Sequence, residues 1–157
     1  MLMASTAAFA ADWQNYTNDR FGVSIDVPPG FTQSGDAPAN DDGLTFASAD
    51  GKAILRVWGN NIVADNFKDE LRSDFESDQT DGWSVSYGAG DKQKIETWAV
   101  YSGTKGDMIM YEKSIASCKG TQSLHFRIEY PKAQKQAYDA VVTRLGKSLK
   151  AGQAHDC

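Results

Sequence analysis

Residues 122–130 (QSLHFRIEY) alternate strictly: Leu124, Phe126, Ile128 and Tyr130 point one way, and His125, Arg127 and Glu129 the other. A period of two marks a half-buried β-strand. The same alternation in residues 21–27, Val23, Ile25 and Val27 against Ser24 and Asp26, predicts a strand ended by Pro28-Pro29-Gly30, because proline donates nothing to a ladder. Residues 44–48 and 53–59 predict a hairpin turned at Ala49-Asp50-Gly51-Lys52, and residues 83–87, 95–102 and 108–117 predict three more strands, punctuated by Gly88, Gly90, Gly103 and Gly106. The Gly-, Pro- and Asp-rich stretch 32–43 predicts a polar loop. Two segments change to helical spacing. Asp65 is placed to cap a helix to about residue 78, whose apolar stripe is Phe67, Leu71 and Phe75 and whose first turn carries Asp69 and Glu70. Pro131 opens a second helix to about residue 150, with Tyr138, Val141, Val142, Leu145 and Leu149 on one face.

The last three elements constrain one another. With Lys119-Gly120 at a turn, Ser117 pairs with Gln122, Ser114 with His125 and Glu112 with Arg127, while Ile115 meets Leu124 and Tyr111 meets Ile128 on the opposite face. The apolar positions of both strands then share one side, with Lys113 opposite Phe126 as the exception, its stem able to snorkel. A nine-residue strand spans about 30 Å at ~3.3 Å per residue, and the following helix about 28 Å at ~1.5 Å per residue. A helix folded back over its strand returns to the 118–121 turn, which brings Cys157 to Cys118. A disulfide is expected there, closing a separation of 39 residues and contributing ~4 kcal/mol in the chain-entropy model.

The length of 157 residues suits one domain, and with 41% hydrophobic and 24% charged residues the chain is neither disordered nor collagen-like. Residues 1–10 read as a residual signal peptide: the stretch is apolar and uncharged, with Ala8 and Ala10 at the small positions that signal peptidase needs. Residues 11–157 then form the single domain, periplasmic or secreted, an oxidising setting for the expected disulfide. No apolar run reaches the ~20 residues of a transmembrane helix, and a net charge of −5 argues against nucleic acid as a partner. The charge is uneven, −9 over residues 1–82 and +4 over residues 83–157. Lys132, Lys135, Arg144, Lys147 and Lys150 outline a basic face on the last helix, against the plainer reading that the two halves neutralise one another.

Catalytic motifs are scarce. Ser114 opposite His125, with Glu112 or Glu129 nearby, is the one hydrolase-like arrangement, but a flat sheet face offers a serine no oxyanion hole and no strained elbow. The plainer reading is a polar face with a Glu112–Arg127 ion pair. Gly146-Lys147-Ser148 lacks the earlier glycine of a phosphate loop, since position 141 is Val141, and Ser102-Gly103-Thr104-Lys105 matches an acyl-transfer spacing where a turn is expected. Asp36, Asn40, Asp41 and Asp42 offer oxygen ligands without EF-hand spacing, so a solvated loop is expected. His125 and His155 are the only histidines, which excludes a multi-histidine zinc site; no metal or cofactor is expected. Trp58, Trp83 and Trp98 are read as core residues, with an exposed Trp–Arg patch around Arg56 and Trp58 as the functional alternative.

Residues 12–29 (DWQNYTNDRFGVSIDVPP), Asp41-Asp42-Gly43 before Leu44-Thr45-Phe46, and the closing Arg144-Leu145-Gly146-Lys147-Ser148-Leu149 resemble the PsbP-like superfamily, which also holds the Ran-binding import factors and exported bacterial proteins of unassigned role. The resemblance implies an α+β fold, an antiparallel sheet of about six or seven strands between helices, in agreement with the element order. It transfers no activity, because fold alone does not license function. The sequence is therefore read as an exported, non-catalytic binding or accessory module acting on an envelope protein or ligand through Arg56, Trp58, His125 and Arg127. The alternatives are a small hydrolase or metal-dependent enzyme using Ser114 and His125, and an inhibitor or immunity-type protein docking through the basic helix.

Overall fold

The computed structural model describes residues 12–89 and 95–157; the expected leader, residues 1–10, lies outside them. In chain order the strands are β1 (Gln14–Thr17), β2 (Val23–Val27), β3 (Thr32–Gln33), β4 (Gly43–Ala47) and β5 (Ile54–Asn61). Helix α1 (Phe67–Thr80) follows, then β6 (Ser84–Ala89), β7 (Trp98–Lys105), β8 (Met108–Ser117) and β9 (Gln122–Pro131), helix α2 (Lys135–Ser148) and β10 (Lys150–Ala151). Seven strands form one antiparallel sheet in the order β3-β4-β5-β9-β8-β7-β6, and β1, β2 and β10 form a smaller sheet. No helix among the described residues is long and apolar enough to cross a membrane.

The alternation of β9 sorts the large sheet into two faces. Leu124, Phe126 and Ile128, with Leu55 and Val57 of β5, are buried against Val23 and Ile25 of the small sheet and Leu145 of α2. Gly59 admits Phe21 to this core: a Cβ at that position would lie 2.4 Å from the Phe21 Cβ. The other face meets α1, where Phe67 and Leu71 pack with Ile95 and Ala99. The β8–β9 register is the one expected from pattern, including Ser114 opposite His125, Glu112 opposite Arg127 and Lys113 opposite Phe126. Lys113 extends to α2, where its Nζ donates to the Gly146 carbonyl at 2.6 Å, satisfying a last-turn carbonyl at the negative end of the helix.

Cys118 and Cys157 are joined, with Cα atoms 5.4 Å apart. The tail that carries Cys157 is held along its length. His155 N and Asp156 N donate to the carbonyls of Asp19 and Arg20, and Arg20 Nε pairs with the Asp156 carboxylate at 2.7 Å.

Several local expectations need correction. Asn66 caps α1, not Asp65: its extended backbone lets the side chain accept from Asp69 N at 3.0 Å. The 32–43 loop contains β3, which pairs with the end of β4. Residues 95–97 precede β7, with Ile95 buried under α1 rather than paired. Ser102-Gly103-Thr104-Lys105 is not a turn but the second half of β7, laddered to β8. The second helix is shorter than expected at both ends. Pro131 still pairs with Met108 in the sheet and a 3₁₀ turn follows, while Lys150 and Ala151 leave the helix to pair with β2. Trp98 lies at the surface, 44% exposed, beneath the Lys113 ammonium.

Candidate functional site

Helix α1 does not cover the sheet with an apolar stripe alone. Glu70, Asp74 and Asp78 recur at intervals of four, so they stand one above another along one face of the helix. Beneath them the sheet presents its polar set: Trp58 and Asn60 from β5, Ser123, His125 and Arg127 from β9, Glu112 and Ser114 from β8, and Tyr101 from β7. Between helix and sheet opens a cleft of about 480 Å³ lined by Trp58, Asn60, Asp74, Tyr101, Glu112 and Arg127 among others.

The two ends of this layer are fully bonded. At one end Glu70 accepts from Asn60 Nδ2 at 2.7 Å, Ser123 Oγ at 2.6 Å and Val63 N at 3.3 Å. At the other end Asp78 accepts from Arg127 at 2.6 Å and from the Tyr101 hydroxyl at 2.9 Å. Arg127 also donates to Glu129 at 2.9 Å, and its guanidinium lies over the Trp83 ring. Burial works against the Arg127 charge, but Asp78, Glu112 and Glu129 outweigh it and raise its pKa. Burial, with the Glu112 and Asp78 carboxylates, likewise pushes the Tyr101 hydroxyl up, so it remains a donor.

His125 lies in the middle, 1% exposed, its ring stacked on Trp58 with centroids 4.8 Å apart. Nδ1 is 2.7 Å from Ser114 Oγ and Nε2 is 2.8 Å from Ser123 Oγ. The Ser123 hydroxyl has one proton, and the Glu70 carboxylate accepts it; His125 Nε2 must therefore carry a hydrogen and donate to Ser123. Nδ1 then presents its lone pair to the middle of the layer, where Glu112 Oε1 lies 3.7 Å away. Burial raises the Asp74 carboxyl to about 6, with the neighbouring Glu112, Glu70 and Asp78 charges adding to the effect and His125 opposing it.

The candidate residues therefore fall at different depths. Arg56 is exposed and paired with Glu129 at 3.1 Å, Trp58 is half-buried, and Arg127 is mostly buried. His125, expected at a surface, is instead enclosed beneath Trp58 and α1. Ser114 does bond to His125, but both are 1% exposed under the helix, so no acyl group can reach the hydroxyl without opening the fold. Of the five cations expected on the basic face, Lys132 and Lys150 lie outside α2, Lys135 pairs with Asp139 and Arg144 pairs with Asp26. In the 36–42 loop Asn40 bonds Asp42, and the Asp41 carbonyl accepts from Asn18. Sequence reading missed Glu70, Asp74 and Asp78 as inward groups. The available signal was their four-residue spacing parallel to Phe67 and Leu71, facing a strand side rich in unmatched polar residues.

No family model matches the sequence, and no match to a curated protein was found. Solved structures do match. The chain is similar to the cyanobacterial PsbP protein CyanoP of Synechocystis sp. PCC 6803, with 11% identity and a TM-score of 0.61 over 97% of this chain and 99% of that one. It is also similar to the Ran-binding protein Mog1p of Saccharomyces cerevisiae, with 9% identity and a TM-score of 0.60 over 91% and 97%. At such identities the likeness concerns architecture, and its coverage is nearly complete in both directions. Two helices on opposite faces of a seven-stranded antiparallel sheet, with a smaller sheet completing the core, give this chain the PsbP/Mog1-like fold.

Proposed function

We propose that the protein is an exported, non-catalytic binding or accessory module that engages an envelope protein or ligand at the α1 cleft. Trp58 and Arg127 line the cleft, Arg56 stands exposed on the same sheet face, and His125 supports Trp58 from behind. The observation that carries this reading is the burial of the Ser114–His125 pair beside an open polar cleft: the nucleophile candidate is enclosed while binding groups are accessible. The disulfide supports an oxidising compartment. The yeast protein of this fold is named for binding Ran, so recognition of another protein is in keeping with the architecture.

The test compares wild type with Arg56→Glu and Trp58→Ala baits in an envelope fraction. The expected result is a partner held by wild type and reduced at least tenfold by either substitution. Identical captures by all three baits would overturn the reading, as would ester or amide hydrolysis that Ser114→Ala abolishes. Fractionation of the producing cells tests export separately, with recovery in the periplasm or medium expected.

A further inference from the structure

We propose that Asp74, Glu112 and His125 form a binding site for a divalent first-row transition metal of the zinc class, held at the floor of the α1 cleft. The proposal rests on the cleft being the protein's binding site, and it names a ligand that the cleft takes.

The hydrogen-bond inventory of the layer leads to these three groups. Glu70 and Asp78 are satisfied by three and two donors. The Asp74 carboxylate makes no hydrogen bond among the described residues. Glu112 is 2% exposed, yet among the described residues its carboxylate accepts only a 3.5 Å contact from Arg127 through Oε2. Its Oε1 is without a donor and lies 3.7 Å from His125 Nδ1. A buried carboxylate with so few donors is costly unless a cation or donor meets it.

The histidine is oriented for the same purpose. Nε2–H donates to Ser123, which donates to Glu70, so the ring is fixed in the tautomer that leaves a lone pair on Nδ1, 3.7 Å from Glu112 Oε1. A metal-bound imidazole has this arrangement, with its remote N–H held by an acceptor that is itself anchored. The Ser114 hydroxyl donates to that lone pair, and a cation on Nδ1 would turn it to another acceptor. The Asp74, Glu112 and His125 donor atoms lie within 4.8 Å of one another. Tetrahedral ligands sharing an ion at ~2.0–2.1 Å stand closer, so binding must draw them together by up to about 1.5 Å. Asp74, half-buried and unbonded on α1, is the group placed to move.

Charge argues the same way. Glu70, Asp74, Asp78 and Glu112 face this layer, with Arg127 as the cation between them. One nitrogen and two carboxylates favour zinc-class ions over calcium or magnesium, which prefer all-oxygen shells. Three protein ligands leave a coordination position facing the cleft.

The experiment is calorimetric titration of ZnCl2 into untagged, disulfide-intact, EDTA-stripped protein at pH 7.5. One zinc per chain is expected, weakened at least tenfold by Asp74→Asn and by Glu112→Gln, lost in His125→Gln, and unchanged in His155→Ala. Asp74 is on the cleft side of a helix, so Asp74→Asn keeps the test sound if His125→Gln fails to fold. Absence of zinc binding overturns the proposal, and so does binding that survives Asp74→Asn and Glu112→Gln but is lost in His155→Ala, which would mean surface chelation at His155-Asp156. If zinc fails to bind while capture still depends on Arg56 and Trp58, the metal site falls and the cleft reading stands. The reverse result supports the metal and overturns the partner.

Discussion

The two faces of the seven-stranded sheet are made by the same strands and built on opposite principles. Toward α2 and the small sheet, β5 and β9 contribute Leu55, Val57, Leu124, Phe126 and Ile128, all excluded from water. Toward α1, the neighbouring residues of those strands are Arg56, Trp58, Ser123, His125 and Arg127, and the helix answers with carboxylates. One face is stabilised by burial of apolar area, at roughly 25 cal/mol per Å². The other exchanges water for a network whose net gain per hydrogen bond is only ~1 kcal/mol and whose unpaired members destabilise it. The difference teaches where the fold has slack. Folding alone does not require a polar layer beneath the helix, since an apolar one could replace it.

The comparison breaks most directly at Phe126. Phe126→Ala empties a fully buried position and is expected to cost about 3–5 kcal/mol, read as a lower urea midpoint with unchanged slope. A loss below 1 kcal/mol would mean that the α2 face is not the stabilising one. Next comes the covalent tie. Replacing Cys118 and Cys157 together by serine is expected to cost about 2–4 kcal/mol, given the 39-residue separation. The same denaturation measurement, run with and without reductant, checks it: wild type should fall to the level of the double variant.

How much of this was legible follows from the same division. Period-two alternation is strong in β8 and β9, so their register and the disulfide are legible in the pattern alone. The α2 face was legible because apolar residues declare themselves. Asn66 displaced Asp65 as the cap because capping depends on one residue's backbone geometry, which two adjacent capping types do not distinguish. β1, β3 and β10 are two to four residues long and are set by the neighbours they pair with, leaving no period to detect. The polar layer was half legible. His125, Ser114 and Glu112 were placed on one face, but a helix carrying Glu70, Asp74 and Asp78 looks solvated until a polar sheet surface is set against it.

Ser123→Ala sharpens the contrast from the polar side. It removes the link between His125 Nε2 and Glu70 and leaves a buried N–H without its acceptor, an expected loss of about 1–3 kcal/mol from removal of one hydroxyl. On the apolar face the loss of one methyl, as in Ile128→Val, is expected to cost about 0.5–1.5 kcal/mol and to leave no polar group unpaired. A Ser123→Ala protein as stable as wild type in urea would show that the layer is not a connected network.

The smallest expected effect has the opposite sign. The Asp74 carboxyl is raised to about 6 in the folded chain, whereas an unfolded aspartate titrates near 3.9. Below about pH 4 the carboxyl is protonated in both states, and Asp74 imposes no penalty. Between about pH 4 and 6 the unfolded chain ionises while the folded chain resists, so the folded state binds more protons and stability falls as pH rises. Above about pH 6 the penalty is complete. By the pKa difference alone it would reach ~3 kcal/mol; because the carboxyl adjoins the open cleft, solvent screening reduces it to about 1–2 kcal/mol. Asp74→Asn should therefore stabilise the EDTA-treated protein by about 1–2 kcal/mol at pH 7.5 and leave it unchanged at pH 3.5, as read from urea midpoints. Destabilisation at pH 7.5 would mean that the carboxylate is paired in the folded chain and the layer carries no surplus charge. A gain in stability accompanied by loss of zinc binding would show one residue acting against the fold and for the site, which the apolar face has no means to do.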